Sequence, residues 1–388
     1  MLKQSLAFAT VLAVAAPAAA QYAARREGDT VKLEDTQNKT VVSVVPSRGN
    51  LTSGMNVNGH DVLRSNGIPF LSPWANRLDE QAFYANGKRY AFDMELGNIN
   101  GANPSQGFLQ RTDLWQVVEV KADSTAAWVT SRLDVYKQPM WMKQWPFAHT
   151  IEMTHRLQDG ILEVRTTLTN MSAEPMPATV GFHPYYRLDD STRDQWTIHV
   201  PTKTHWLLAT TKVATGQTES GEQFFPNGQG QLKDYNLDDV FTDLDRDAEG
   251  KAHMFLKGPG KQQLELIHGP KFKAMVVWSP NPLGTGKGSQ AINAGAARNA
   301  QPPAAPASAQ APATAPAQGA ANAGRGGRGG RGGGGGNANN DPNFIAFEPQ
   351  AGPTNALNLA HKGLYKDLQY VAPGGTWTES FWVKPTGF

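Results

Sequence analysis

The chain of 388 residues contains no cysteine. Disulfides, thiolate nucleophiles and cysteine-ligated metal sites are therefore excluded. Charge of either sign is also in short supply as an excess: the formal net charge is +2, which gives no bulk electrostatic case for a nucleic-acid partner. Long apolar runs are missing except at the start. Met1-Leu2-Lys3 precedes an apolar run from Leu6 to Ala16, and Pro17-Ala18-Ala19-Ala20-Gln21 follows. A charged n-region, an apolar h-region and an Ala-x-Ala site predict a secretory signal peptide over residues 1–20, hence an exported chain, periplasmic or extracellular. The run falls short of the about 20 residues a spanning helix needs, so no membrane span is expected after cleavage. An exported chain without disulfides depends on its core, and about 370 residues suffice to bury a large one.

Helical periodicity is lacking too; apolar residues recur with a period of two. Ile151, Met153, His155 and Leu157 alternate with Glu152, Thr154 and Arg156. Leu162, Val164, Thr166 and Leu168 alternate with Glu163, Arg165 and Thr167, and Asp159-Gly160 between the runs predicts a hairpin turn. Residues 115–120, 127–129 and 377–383 behave likewise, and no helix longer than about two turns is expected. The pattern predicts an all-β chain, a large antiparallel sandwich or barrel. Residues 285–341 break it. They are almost wholly Gly, Ala, Pro, Asn, Gln and Ser, lack aromatics, include three Arg-Gly-Gly repeats and carry a net charge of +4. Such a stretch buries too little apolar area to offset its ordering entropy, so a disordered insert is expected. Without Phe or Tyr for base stacking, the repeats favour a solvated linker over RNA binding. Strand-like segments flank it, with Phe272, Ala274, Val276 and Trp278 before and Phe344-Ile345-Ala346-Phe347 after. One domain over 21–388, interrupted by the insert, is the expected organisation, because loop-closure entropy grows slowly with length.

Four segments carry candidate chemistry. In Gly181-Phe182-His183-Pro184-Tyr185-Tyr186 the proline forces an extended backbone on His183, and the tyrosines supply flat faces. Imidazole titrates near neutrality and suits a general acid, although a lone His-Pro in a β protein is more commonly structural. In Phe347-Glu348-Pro349 a carboxyl flanked by apolar groups is expected to be desolvated and raised toward the range of a working base. Pro73-Trp74-Ala75-Asn76-Arg77-Leu78 offers an indole face and a guanidinium fork. Leu237-Asp238-Asp239-Val240-Phe241 offers two acids that bind sugar hydroxyls or cap a turn. No metal site is expected. Six residues of strand put His149 and His155 roughly 20 Å apart. The acidic run 243–250 lacks the glycine and the twelfth-position glutamate of a calcium loop.

Together these segments resemble the aldose 1-epimerase (galactose mutarotase) family. Residues 73–78 look like its Pro-Trp-x-Asn-Arg segment, 181–186 like its Gly-x-His-Pro-Tyr-Phe motif, and 237–241 like its Tyr-Asp-His-x-Phe region. Residues 347–356 follow its Glu-Pro-x-x-x-Pro-Asp-Ala segment. The resemblance spans about residues 40–383, apart from the insert. It implies a β-sandwich of the galactose-mutarotase type and exchange of sugar anomers on a free monosaccharide, without cofactor. Glu348 matches the general base and His183 the general acid. Arg77 and Asp238 match sugar-binding residues, with Asn76 and Trp74 in the same segment as Arg77. One departure stands out: Gln106, after Asn98-Ile99-Asn100, replaces the family's histidine and cannot act as a cation or acid. A binding sandwich that has lost turnover and a glycoside hydrolase or lyase using Glu348 with Asp238 are the competing readings. Oligomeric state is not legible.

Overall fold

The computed structural model describes residues 20–95, 99–100, 102–288 and 341–388. The predicted leader apart from Ala20, Asn98 and Gly101 of the asparagine-rich loop, and 289–340 of the insert lie outside the described residues. The chain is built from antiparallel sheets of nine, seven and five strands, with small two-stranded ribbons. The hairpin read from the sequence forms: His149–Gln158 pairs with Ile161–Asn170, with Gln158 opposite Ile161. Asp159 and Gly160 at its tip take φ of 51° and 72°, the left-handed pair of a two-residue turn. These strands are central to the nine-stranded sheet, flanked by Ala127–Asp134 and Thr376–Thr386. Among the described residues no helix exceeds six residues, the length of Pro139–Gln144 and Ala356–His361, and none is long and apolar enough to cross a membrane.

The seven-stranded sheet carries the segments of interest. Its order is Ala214–Ser220, Thr202–Leu208, Leu237–Leu244, Ala274–Ser279, Ala346–Gln350, Gly181–Phe182, Phe70–Leu71. Successive side chains on each strand point to opposite faces. One set, including Phe241, Val277, Phe347 and Phe182, enters the main core. There Phe182 meets Phe381 of the nine-stranded sheet at 4.8 Å between ring centroids. The other set includes Trp206, Val240 and Val276, which form a separate small cluster with Ala356 and Leu359. Ala274–Ser279 is therefore covered on both faces.

The two strands that flank the insert pair with each other, Trp278 opposite Ala346 and Val276 opposite Glu348. Chain order continues through Gly288: Lys287 bridges to Tyr235, and its ammonium donates to the Phe224 carbonyl at 3.1 Å. Arg193, 1% exposed, clamps the root. Its guanidinium donates to Ser279 Oγ at 2.9 Å, the Ser279 carbonyl at 3.0 Å, the Leu232 carbonyl at 2.9 Å and the Tyr235 carbonyl at 2.7 Å. Its own backbone N–H donates to Asn343 Oδ1 on the returning strand at 2.9 Å. Excision of 289–340 is expected to leave a cooperative melt close to that of the full chain, whereas Arg193→Met strands several buried acceptors and lowers stability by about 3 kcal/mol or more. Denaturant titration of both variants checks this; equal stabilities would refute the clamp.

Three core histidines add a pH dependence. Burial lowers His149 to about 4, and His155 and His268 to about 3. His268 has no hydrogen-bond partner on either ring nitrogen. The unfolded chain binds protons on these rings near pH 6.5 and the folded chain does not. Their contribution is thus full above pH 6.5 and is lost as pH falls toward 4 and below. His268→Leu is expected to reduce the fall in the urea midpoint between pH 6.5 and 4 by the share of about one proton; an unchanged slope would contradict the burial.

Candidate active site

Gly181 is the pivot of the site. It pairs with Leu71 on one side and Gln350 on the other. A Cβ there would lie 2.9 Å from Ala75 Cβ, Gln350 Cγ and the Pro349 carbonyl, so only glycine lets the three strands close. Beyond it the chain is fastened by His183 N–H to the Pro69 carbonyl at 2.9 Å and Tyr185 N–H to the Gly67 carbonyl at 3.0 Å. The His183 ring stacks on Tyr185 at 4.6 Å and 19° and meets the edge of Trp278 at 5.3 Å. One stacked ring, one edge-on ring and a fixed backbone hold the imidazole with Nε2 3.2 Å from Glu348 Oε1.

Glu348 is 2% exposed. Its other oxygen accepts from Gln350 Nε2 at 3.0 Å. Burial raises the Glu348 carboxyl well above its ordinary range, the Asp238 charge raises it further, and Gln350 and Arg77 oppose the rise. Burial lowers His183 to about 4, with the Arg77 cation acting in the same direction. Burial thus shifts the two groups in contact in opposite directions, the carboxyl up and the imidazole down.

Asp238 stands opposite Trp278, and Trp278 opposite Ala346. Asp238 is thus two strands and two residues from Glu348, roughly 12 Å between Cα atoms on the same face. Burial raises Asp238, Arg77 and Lys212 lower it, and Asp239 raises it. Arg77 is fixed by an unusual turn: Ser72-Pro73 is cis, and Asn76 takes a φ of 56°. Asn76 is buried, its side-chain oxygen accepts from Arg77 Nη1 at 3.2 Å, and its carbonyl accepts Gln106 N–H at 2.6 Å. Gln106 is half-buried, at a φ of 62°, with its Oε1 occupied by Gln110 Nε2 at 2.8 Å. Among the described residues, three buried polar atoms around the pair lack a hydrogen-bond partner: Arg77 Nε, His183 Nδ1 and Gln350 Oε1. Buried polar groups are normally satisfied, so their clustering marks a place built for a polar ligand.

The fold therefore brings Glu348, His183, Arg77 and Asp238 together and holds Asn76 and Gln106 beside them. Trp74 is the correction. It is 1% exposed, packed on Phe92 at 4.5 Å and Phe108 at 5.8 Å. Its indole lies in the core and offers a ligand no face, because the whole run 71–76 is buried. The available indole is Trp278, half-buried against His183, Tyr185 and Phe344. Sequence reasoning placed Trp278 on a strand; its register opposite Asp238 was the missing signal. Gln350 stood in the quoted Glu-Pro-Gln motif without a role. Lys212, at a φ of 63° in the hairpin turn after Leu208, had no sequence signal. Burial lowers it, and the Asp238 and Asp239 charges oppose that shift, which places it at the same cluster.

A sequence model of the aldose 1-epimerase family matches residues 30–320, a span that contains Arg77, His183 and Asp238 and stops short of Glu348. Among solved structures, a galactose mutarotase-like protein from Clostridium acetobutylicum superposes with a TM-score of 0.68 at 16% identity, over 92% of this chain and 95% of that one. Galactose 1-epimerase from Lactobacillus acidophilus gives 0.62 at 13% identity, over 95% and 98%. A putative aldose 1-epimerase from Escherichia coli gives 0.57 at 16%, over 90% and 96%. The architecture is the galactose-mutarotase sandwich. The chain belongs to the aldose 1-epimerase family.

The two indoles separate experimentally. Trp74→Ala is expected to cost about 3–5 kcal/mol of stability in a denaturant titration. Trp278→Ala is expected to cost less than half of that and to remove most of any fluorescence change on adding aldoses. Equal stability losses would overturn the distinction.

Proposed function

We propose that the protein exchanges the α and β anomers of a free aldose, with Glu348 and His183 as the proton-transfer pair. The observation that carries this reading is the 3.2 Å contact between His183 Nε2 and Glu348 Oε1. Anomer exchange needs a proton removed from the C1 hydroxyl and one delivered to the ring oxygen. The ring then opens to an aldehyde, rotates about C1–C2 and closes by the reverse transfers. Each group works in both directions, so a pair that holds one proton in either arrangement is suited to the task. Glu348 is assigned as the general base that takes the C1 hydroxyl proton and His183 as the general acid that supplies one to the ring oxygen, with the roles reversed on closure. Arg77 is assigned to the oxygen that gains negative charge. Asp238 is assigned to sugar hydroxyls, and Trp278 with Tyr185 to the apolar face of the ring. Gln106 orients rather than transfers, since an amide has no proton to exchange near neutrality. We place the enzyme outside the cytoplasm, on the leader pattern of residues 1–20.

Polarimetry of freshly dissolved α-glucose and α-galactose tests the proposal. Wild type is expected to speed equilibration, and Glu348→Gln and His183→Asn each to lose about 100-fold or more of that acceleration. Acceleration is expected to fall with pH as the raised Glu348 carboxyl is protonated, and to be lost by about pH 4, where His183 also takes up a proton. A protein that equilibrates no aldose faster than buffer, yet binds one, would instead be a carbohydrate-binding sandwich.

A further inference from the structure

Directly behind Asp238, on the face of the same strand turned toward the core, lies a second ionic cluster that the proposed reaction does not use. His205, on Thr202–Leu208, is 4% exposed, and Asp239 is 0% exposed. His205 Nε2 lies 2.9 Å from Asp239 Oδ1, and Nδ1 lies 2.8 Å from Glu219 Oε1. Ionised carboxylates only accept hydrogen bonds, so a ring that faces one on each nitrogen needs a proton on each. Phe224 and Phe241 enclose the ring, with centroids at 4.1 and 4.9 Å. Lys212 contributes a further positive charge toward Asp239, and Lys287 lies over the Phe224 ring at 4.8 Å. Glu219 forms the outer end, its side chain 43% exposed. The second oxygen of Asp239 accepts the backbone N–H of Asp238 at 3.0 Å. Gly288 lies beside that oxygen and the Asn236 carbonyl, where an added Cβ would meet them at 3.0 and 2.1 Å.

One carboxylate therefore links a buried imidazole to the main chain of a residue assigned to the sugar. We propose that His205 is a positioning residue of the candidate sugar site: as a doubly protonated imidazolium it holds Asp239, and through Asp239 it fixes the backbone and carboxylate of Asp238. Removing one of the charges that hold a buried carboxylate is unfavourable, so loss of the ring lets Asp239 shift and weakens its hold on the Asp238 N–H. The consequence falls on substrate binding, because Asp238 is assigned to hydroxyls away from the proton-transfer pair. This inference rests on that assignment.

Two readouts test it. Nitrogen-15 NMR of histidine-labelled protein at neutral pH is expected to show both ring nitrogens of His205 protonated; a neutral tautomer overturns the ionic link. In polarimetric kinetics, His205→Gln is expected to raise KM about tenfold with kcat within about threefold. The double variant His205→Gln/Asp239→Asn, which rebuilds the contact between neutral amides, is expected to recover most of the KM. Glu219→Ala, at the exposed end, serves where His205→Gln does not fold, with an expected KM rise of about threefold. If no aldose is turned over, the same comparisons are made on dissociation constants. KM unchanged in a folded His205→Gln protein whose Asp238→Asn counterpart has a raised KM overturns the positioning role. An Asp238→Asn protein with unchanged KM overturns the sugar assignment of Asp238 instead, and the NMR result still decides the protonation of His205.

Discussion

A carboxyl group 2% exposed, in contact with an imidazole at 3.2 Å, is the constraint around which the rest of the site is arranged. Neither group is comfortable there: burial drives the acid up and the base down. Water would relieve both, and the strands exclude it by closing on Gly181 without a Cβ between them. The outcome is a pair whose proton affinities are set by burial, in a setting of low dielectric where small changes in what lies beside the groups shift them further. Arg77 supplies the compensating charge. It shifts both members and Asp238, and its own position depends on the Asn76 turn and, through it, on the loop that carries Gln106.

The seven-stranded sheet keeps two kinds of chemistry apart by the alternation of its strands. Glu348, Trp278 and Asp238 share one face, while Phe347, Val277 and Phe241 enter the main core. Asp239 breaks the pattern as a charged group on the core face, and His205 answers it there. A one-residue slip of Leu237–Leu244 would exchange the two acids between the two faces. The buried Asp239–His205 contact thus also pins the register that presents Asp238, in keeping with the registry role best attested for buried ionic groups.

Much of this was legible in the sequence. Period-two alternation located the long hairpin to the residue, because the Asp159-Gly160 turn admits one register. His183 and Glu348 were legible through their prolines and apolar neighbours, which are local signals of fixed backbone and burial. Trp74 misled for the same reason. An indole beside an arginine reads as a binding face, and only packing against Phe92 and Phe108 reveals which way it turns. Trp278, Gln350 and Lys212 depended on strand pairing across tens of residues or on a turn reaching over the sheet, and no local pattern encodes either. His205 and Asp239 escaped notice because each is an ordinary strand residue until the other is opposite it.

The chain leaves and re-enters the sheet on either side of residues 285–341 at a root that is firmly held. The strands on either side of it are hydrogen-bonded neighbours, and one of them carries Glu348 and the other Trp278. Lengthening a closed loop costs only about 0.6 kcal/mol per doubling, so pairing energy at the base easily exceeds the cost of what is inserted. Pairing alone would still allow fraying where the chain departs. Arg193 removes that freedom by binding the carbonyl and hydroxyl of Ser279, while Ser279 Oγ donates to the Phe344 carbonyl at 2.8 Å. Departing and returning chains are thereby joined through Ser279 and through the Arg193 backbone N–H to Asn343, and Lys287 fixes the chain once more beyond it. With the root held at these points, the length of the inserted segment is decoupled from the geometry of the Glu348–His183 pair.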